Sequence, residues 1–400
     1  MKREEQVRVL SGLMKHLDEG TNVDIGKQMI NPVETYLCPD RAEQEWRAFF
    51  QNHTQLLGLS ADLPEANSFF TSNELGKPIL CTRDQNGEFH AFINACRHRG
   101  TVVEKQARGV RATFSCPFHA WTYSGKGDLV SVPREHQFGH VDKSCYSLTR
   151  LPALERDGLL WVHPDAEGVI NLDDQLGDLA DELAEWNLGG VLFDGDTQYD
   201  HAMNWKLAID TFGETYHFNV LHKNTLAESF YGNVQMYDTF KRNHRMSLCQ
   251  KSIDTLRDVP EKDWNVLVGA LPVYYFFPNV QLIISHAGPT LVRVYPRGAD
   301  AGDSYSKVSF YLSAKVREML EQPGFEEMRA EISNRMQGFG EVIRDEDYVA
   351  AESSHRGMAA GHMDHVIFGR NEPALHHYHN TYREALGMAP LEVREASSEV

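Results

Sequence analysis

The sequence predicts an α+β chain built of two units, a small all-β unit followed by an antiparallel sheet mixed with helices. Three observations carry this. Short strand-like runs separated by Gly-containing turns extend from about Lys77 to Pro164. Three more strand runs fall between Leu271 and Leu312. Helical spacing surrounds both sets, and no internal repeat interrupts them.

Taken in order, the first ~35 residues and "RAEQEWRAFFQNHTQLLG" read as helical. "KPILCTRDQNGEFHAFINAC" reads as a hairpin turning at Asn86-Gly87. "VRATFSC", "AWTYSGKGDLV" and "GLLWVHP" continue the short strands. "DDQLGDLADELAEWNL" is an acidic amphipathic helix that opens the second unit, and "NWKLAIDTFGETYHFNVLH" has helical spacing. After the strands of 271–312, a long helical stretch runs from Lys315 to Met358, and the tail beyond Met388 is polar. The expected division is 1–39 (a helical segment packing on the second unit), 40–165, 166–385 and a tail at 386–400.

Thirty-nine basic against fifty-seven acidic residues give a net charge of -18, which argues against a nucleic-acid partner. No apolar run approaches the ~20 residues that span a bilayer. The opening "MKREEQVRVLSGLMKHLDEG" lacks an apolar leader core, so a cytoplasmic setting is expected. There, six cysteines read as metal ligands or small buried groups rather than cystines. Cys38, Cys81, Cys145 and Cys249 fit buried packing.

The chemistry begins in "NACRHRGTVVEKQARGVRATFSCPFHAW". Cys96 and His98 project to one side of an extended or turning chain. Cys116 and His119 flank a tight turn at Pro117. Structural zinc is the ordinary alternative, but its sites usually pair Cys with Cys first and His with His later. Two mixed Cys–His pairs suit a two-iron two-sulfur centre, with two thiolates on one iron and two imidazoles on the other.

Cys-x-His, seventeen residues, then Cys-x₂-His resembles the Rieske signature, and "CPFHAWTY" resembles the form found in Rieske non-haem iron oxygenases. That resemblance implies a Rieske domain at 40–165. It also implies a catalytic domain of helix-grip, START-like type at 166–385. In "DTFGETYHFNVLH", Glu214 and His217 are three apart and share a helix face. His217 and His222 are five apart, about 140° around an ideal helix, so the helix must bend or end for both to meet one ion. The segment resembles the family's acid-x₂-His-x₄-His motif, preceded by the family's "NWK" at Asn204–Lys206.

The resemblance implies that His217 and His222 bind a mononuclear ferrous ion, with a late carboxylate as third ligand. "RDEDYVAAE" offers Asp345, Glu346 and Asp347. The family's Asp five residues before a Glu picks Asp347 with Glu352, and Asp345 is the alternative. Two His and one carboxylate leave positions open for dioxygen. Glu214 is implied to hydrogen-bond His217 and to reach His119 of the partner subunit, which implies a homotrimer, with room for a small beta subunit. Many ring-hydroxylating members carry Asp at this place. Glu resembles the choline- and carnitine-type monooxygenases, and puts ring dihydroxylation in doubt.

The expected activity is that of a terminal oxygenase using O2 on an aromatic or other apolar substrate. Electrons come from NAD(P)H only through a separate reductase, with or without a ferredoxin, since the chain has no Gly-rich dinucleotide motif. A monooxygenase or demethylase of methyl or quaternary ammonium groups is the second reading. A Rieske electron carrier fused to a ligand-binding domain is the third. Expected pocket liners are Phe212, Phe218, Leu221, Leu226, Phe230, Tyr275 and Ile284, each of which also fits ordinary core packing. The "HHYHNTYR" histidines, His376, His377 and His379, read as surface or packing.

Overall fold

The computed structural model describes residues 1–320, 322 and 324–395. The chain divides into two units, one of residues 47–171 with 188–192, the other of 1–46, 172–187 and everything from 193 onward.

The first unit is built of strands and turns with short single-turn helices such as Ser60–Asp62 and Lys143–Tyr146. Arg150–Leu151, Phe89–Ile93, Ile79–Arg83, Ser68–Ser72 and Arg108–Val110 lie side by side in one sheet. The Asn86-Gly87 hairpin forms as the sequence predicts, with Ile79 opposite Ile93 and Gly87 at φ +84°. Two three-stranded sheets complete the unit. The second of them, Ala153–Arg156, Leu159–Val162 and Gln55–Leu59, takes a strand from a stretch read as helical. There Leu59 pairs with Leu159, a contact a hundred residues away in sequence that local periodicity does not report. Phe69, Leu80, Phe92, Phe114, Trp121 and Tyr123 form the core, and Cys96 and Cys116 are part of it.

The second unit is a seven-stranded sheet between helices. Along the sheet the strands run Leu192–His201, Ser304–Leu312, Pro289–Pro296, Val280–Ile284, Ala270–Phe276, Asn243–Gln250 and Phe230–Phe240. Consecutive strands from Phe230 onward pair antiparallel, which alternates side chains between the two faces. The helix Arg3–Glu19 packs Val9, Leu10 and Leu13 on the face that shows Cys249 and Ala270. The other face shows His244 and Tyr275, which stack near Tyr378 of the helix Pro373–Ala385.

Four predicted elements are corrected. Lys27–Pro32 is a strand rather than helix, because it pairs with His365–Phe368 and with Glu392–Glu395. Those last four residues are thus sheet and not a frayed tail; 396–400 lie outside the described residues. The acidic helix of 173–188 is two short helices, Leu172–Leu176 and Leu179–Ala184, broken at Gly177 with φ +55°. The helix Trp205–Asp210 stops before either histidine. Cys81 and Cys249 are buried as expected, but Cys145 is exposed and Cys38 half-buried.

Arg245 anchors the N-terminal helix to the sheet. Its side chain is 0% exposed and faces Glu182 at 2.5 Å, Asp238 at 2.5 Å and Glu5. Removing the cation leaves Glu182 without its guanidinium partner and Glu5 and Asp238 with Arg8 alone, and breaking a buried ionic group this way costs about 3–5 kcal/mol. Arg245→Met is therefore expected to lower the denaturation midpoint sharply at neutral pH. The Arg8 and Arg245 guanidiniums hold the Glu5 carboxyl down to about 2. Its stabilising effect is complete above its ordinary value of 4.5 and is lost as pH falls toward 2. A midpoint of Arg245→Met equal to wild type would refute the anchoring role.

Candidate metal centres

The first centre is built from two equivalent loops. In one, Cys96 N–H donates to Thr101 O and Gly100 N–H to Cys96 O, both at 2.8 Å. In the other, Cys116 N–H donates to Trp121 O at 2.8 Å and Ala120 N–H to Cys116 O at 2.9 Å. Each loop closes through a positive φ, Gly100 at +76° and Ala120 at +57°. The asparagine before the first loop braces it. Asn94 Oδ1 accepts from Val103 N–H at 3.2 Å and Glu104 N–H at 3.0 Å.

Both thiols are buried, whereas His98 is half-buried and His119 exposed. The His98 and His119 rings lie 4.7 Å apart, and His98 stacks on Trp121 at 4.9 Å. Burial pushes the Cys116 thiol up, against hydrogen bonds from the Phe118 and His119 N–H groups, and the Cys96 thiol beside it pushes it further.

This donor set fits two metals better than one. A tetrahedral zinc with bonds of about 2.0–2.3 Å draws all four ligand atoms within about 4 Å of one another. Among the described residues, the groups of three or more His, Cys, Asp or Glu with ligand atoms within 4.8 Å are His217/His222/Asp347 and Asp84/Glu88/His90. The four loop residues are not such a group. Thiol beside thiol and imidazole beside imidazole is the split a two-iron cluster requires. The second group is a staple of the hairpin: Asp84 takes Lys126 Nζ at 3.2 Å and turn N–H groups, and His90 Nδ1 faces Arg150 at 2.9 Å.

Tyr123 sets the electronics of the thiol side. Its hydroxyl lies 3.2 Å from Cys96 Sγ and accepts from Arg97 N–H at 3.0 Å. A hydrogen bond to a cluster sulfur stabilises the reduced, more negative state. Tyr123→Phe is expected to lower the cluster's midpoint potential by on the order of tens of mV, read by redox titration. An unchanged potential would show that the contact does not tune the cluster.

The second centre lies in the sheet-and-helix unit. The helix ends at Asp210, and Gly213 follows it where a Cβ would sit 2.6 Å from both Leu375 Cδ2 and Tyr378 Oη. The chain then turns, and Glu214 accepts from Tyr216 and His217 N–H to fix the turn. Leu221 N–H donates to His217 O at 2.8 Å, and His222 N–H to Phe218 O at 3.2 Å. These two bonds keep one helical turn between the histidines.

His217 Nε2 and His222 Nε2 lie 3.1 Å apart. Asp347 Oδ1 is 3.2 Å from His222 Nε2 and 3.3 Å from His217 Nε2. An ion bound at about 2.1–2.2 Å with ligands at right angles spaces its ligand atoms by about 3 Å, so the triangle fits one six-coordinate metal with three open positions. Burial pulls the His217 imidazole down, but Asp347 and Glu214 outweigh it and push the ring up to about 9. Burial likewise opposes, and the two imidazoles overcome, in holding Asp347 below the usual carboxylate range. A metal entering the triangle displaces the proton that holds it together, so affinity falls on acidification.

Each imidazole is gripped from behind. His217 Nδ1 hydrogen-bonds Glu214, and His222 Nδ1 meets Glu346 Oε2 at 2.7 Å, which also takes the Thr225 hydroxyl at 2.9 Å. Glu346 was expected only as a candidate ligand. Residues Ile343–Asp347 form a π turn that aims the adjacent Glu346 and Asp347 at the same imidazole from two sides. Asp345 points away, exposed and paired with Arg344 at 2.6 Å, so it does not join the triangle. Glu352 accepts from Ala202 N–H at 2.9 Å.

Two cavities flank the triangle. One is lined by Phe212, Phe218, Leu226 and Phe230 as expected, and by Ile283 and Phe339, which were not. Tyr275 is not in its wall; its hydroxyl is held at Tyr382 and Pro278 O. Ile284 is corrected to Ile283, because alternate residues of a strand face opposite sides. The other cavity takes Leu221 and Glu214, with Asp210 and Tyr36. His379, in the late histidine run, sits 2.9 Å from Asp210, and His376 and His377 bind the carbonyls of Phe368 and Lys241. All three are packing.

Comparison with known proteins agrees with both centres. The family described as the ring hydroxylating alpha subunit catalytic domain matches residues 188–388, and the Rieske [2Fe-2S] domain matches 53–152. The anthranilate 1,2-dioxygenase large subunit of Acinetobacter baylyi is 32% identical over 192 residues, 46% of this chain and 41% of the relative. The glycine betaine monooxygenase oxygenase subunit of Chromohalobacter salexigens is 31% identical over 195 residues, 49% of this chain and 43% of the relative. The chain thus spans less than half the length of these curated relatives. A crystal structure of the quaternary ammonium Rieske monooxygenase CntA with an inhibitor shares the fold, with a TM-score of 0.74 at 19% identity over 89% of this chain and 94% of that one. Among the described residues no helix is long and apolar enough to cross a membrane. The chain belongs to the Rieske non-haem iron oxygenases, joining a Rieske [2Fe-2S] domain to the catalytic domain of the ring-hydroxylating alpha subunits.

Proposed function

We propose that the chain is a cytoplasmic terminal oxygenase that hydroxylates an aromatic or other apolar substrate with O2 and electrons from a separate reductase. The observation that carries this is the His217–His222–Asp347 triangle, open toward an apolar cavity. When bound, the cluster supplies single electrons and the ferrous ion binds and activates O2.

Each protein group has a role in this reading. Cys96, Cys116, His98 and His119 hold the cluster. His217, His222 and Asp347 hold the iron, Glu346 fixes the His222 ring, and Glu214 fixes His217. Phe212, Phe218 and Phe230 exclude water and pack the substrate against the open side. The exposed His119 edge, with exposed Phe118 stacked on it at 3.8 Å, meets the Glu214 side of the partner subunit in a head-to-tail homotrimer. Exposed Tyr216, Val220 and Val349, beside the metal residues, supply the apolar surface for that contact.

Glutamate at position 214 keeps monooxygenation of methyl or quaternary ammonium groups as the second reading. The test is turnover with a surrogate reductase in labelled dioxygen. A ring product carrying label supports the first reading. Formaldehyde release, with no ring product, supports the second. Neither product, with electrons passed on equally by wild type and His217→Ala, would leave only an electron carrier.

A further inference from the structure

The helical run that carries Asp347 presents two stripes. Phe339, Ile343 and Asp347 line the cavity shared with Phe212 and Phe218. One residue on, Gly340, Arg344, Tyr348 and Glu352 follow one another at four-residue steps and meet the end of the strand Leu192–His201. A Cβ at Gly340 would sit 3.0 Å from Tyr199 Oη, so glycine lets strand and helix close up there. The Arg344 guanidinium lies 5.6 Å over the Tyr199 ring. Tyr348 Oη is 2.7 Å from Ser306 Oγ, which is 2.9 Å from His201 Nε2. The His201 and Tyr348 rings meet edge to face at 4.3 Å. Glu352 Oε1 accepts from Ala202 N–H at 2.9 Å. His201, Ser306 and Tyr348 are all buried.

Resting on the iron site of the oxygenase reading above, we infer that His201, Ser306 and Tyr348 are positioning residues for Asp347, which lock the π turn Ile343–Asp347 at the rotation that aims its carboxylate at both histidines. A π turn is rare next to the α-helix it interrupts, so its surroundings must hold it. Here the strand end touches the run before the turn at Gly340, within it at Arg344, and after it at Tyr348 and Glu352. Tyr348 is the next residue after Asp347. Any rotation that carries Asp347 away from the histidines also pulls the Tyr348 hydroxyl off Ser306. Both hydroxyls are then left unpaired where water does not reach, which is costly. Ser306 gives a rigid anchor, because its strand Ser304–Leu312 is paired on both sides. Burial pulls the His201 imidazole down to about 4, so the ring is neutral near pH 7 and brings no charge to the helix it holds.

The test titrates the whole chain, with its cluster in place, anaerobically with Fe2+ against a competing chelator. Co2+ is then added to saturation in a parallel sample, since its visible bands report ligand number and geometry. Tyr348→Phe and Ser306→Ala are each expected to weaken Fe2+ binding by about 10–100-fold, the range for losing a group that orients a ligand. Each is also expected to shift the Co2+ bands at saturation. The double variant is expected to fall within about twofold of the weaker single one, because both changes cut the same chain of bonds. Arg245→Met is the control for a general loss of stability. Its side chain binds the N-terminal helix on the opposite face of the sheet, and its Fe2+ affinity and Co2+ bands are expected to match wild type. If Ser306→Ala loses its cluster bands, Tyr348→Phe decides alone. Wild-type affinity and bands in Tyr348→Phe overturn the inference and leave the iron site standing. Equal weakening in Arg245→Met overturns it too, as an effect of stability. Wild type binding Fe2+ no better than Asp347→Ala sinks the iron site itself, and the inference with it.

Discussion

Asp347→Ala is expected to remove the mononuclear iron and leave the cluster in place. Iron should fall from three to two per chain, with the visible bands of the cluster unchanged. Product formation should fall by more than about 100-fold, the upper range for losing only a group that orients a ligand. The reason is geometric. Asp347 Oδ1 is the third corner of a triangle with sides of 3.1–3.3 Å, and two imidazoles alone leave the ion half held. Asp345→Ala is the matched control, because its carboxylate pairs with Arg344 on the surface. Equal iron loss in both variants would place the third ligand elsewhere.

Glu214→Gln separates holding the metal from feeding it. Gln keeps one oxygen, for either His217 Nδ1 or the turn N–H groups, sets an amide NH2 at the other, and removes the charge. Iron content is expected to stay near three per chain. Reoxidation of the reduced cluster by the mononuclear site, followed by stopped-flow absorbance, is expected to slow by about 10–100-fold, and product with it. Glu214→Asp should recover part of the rate by restoring the charge on a shorter arm. Full-speed reoxidation in Glu214→Gln would show that the carboxylate only props the turn.

What the sequence revealed depended on how local the cause was. The cluster loops were legible because a Cys–His pair and its turn lie within six residues, and the Asn86-Gly87 hairpin was legible for the same reason. The packing of Leu375 and Tyr378 on Gly213 was not, because they lie more than 150 residues later. The strand Lys27–Pro32 likewise exists only through its pairing with the C-terminal strands. Choosing Asp347 over Asp345 came from a family spacing, whereas Glu346 was missed as the His222 partner because a π turn shifts its direction. The one-residue offset from Ile284 to Ile283 reflects strand register, which no local pattern fixes where both faces are buried.

In the proposed function, O2 chemistry occurs at the His217–His222–Asp347 site and is fed by the cluster. Its most direct test is a single turnover without reductase. Protein loaded with cluster and iron is reduced anaerobically, freed of reductant, and mixed with an apolar ring substrate and labelled dioxygen. Cluster reoxidation is expected together with a labelled hydroxylated product, at up to one per chain, and no such product from His217→Ala. Cluster reoxidation at the same rate in both proteins, with no labelled product from either, would contradict it.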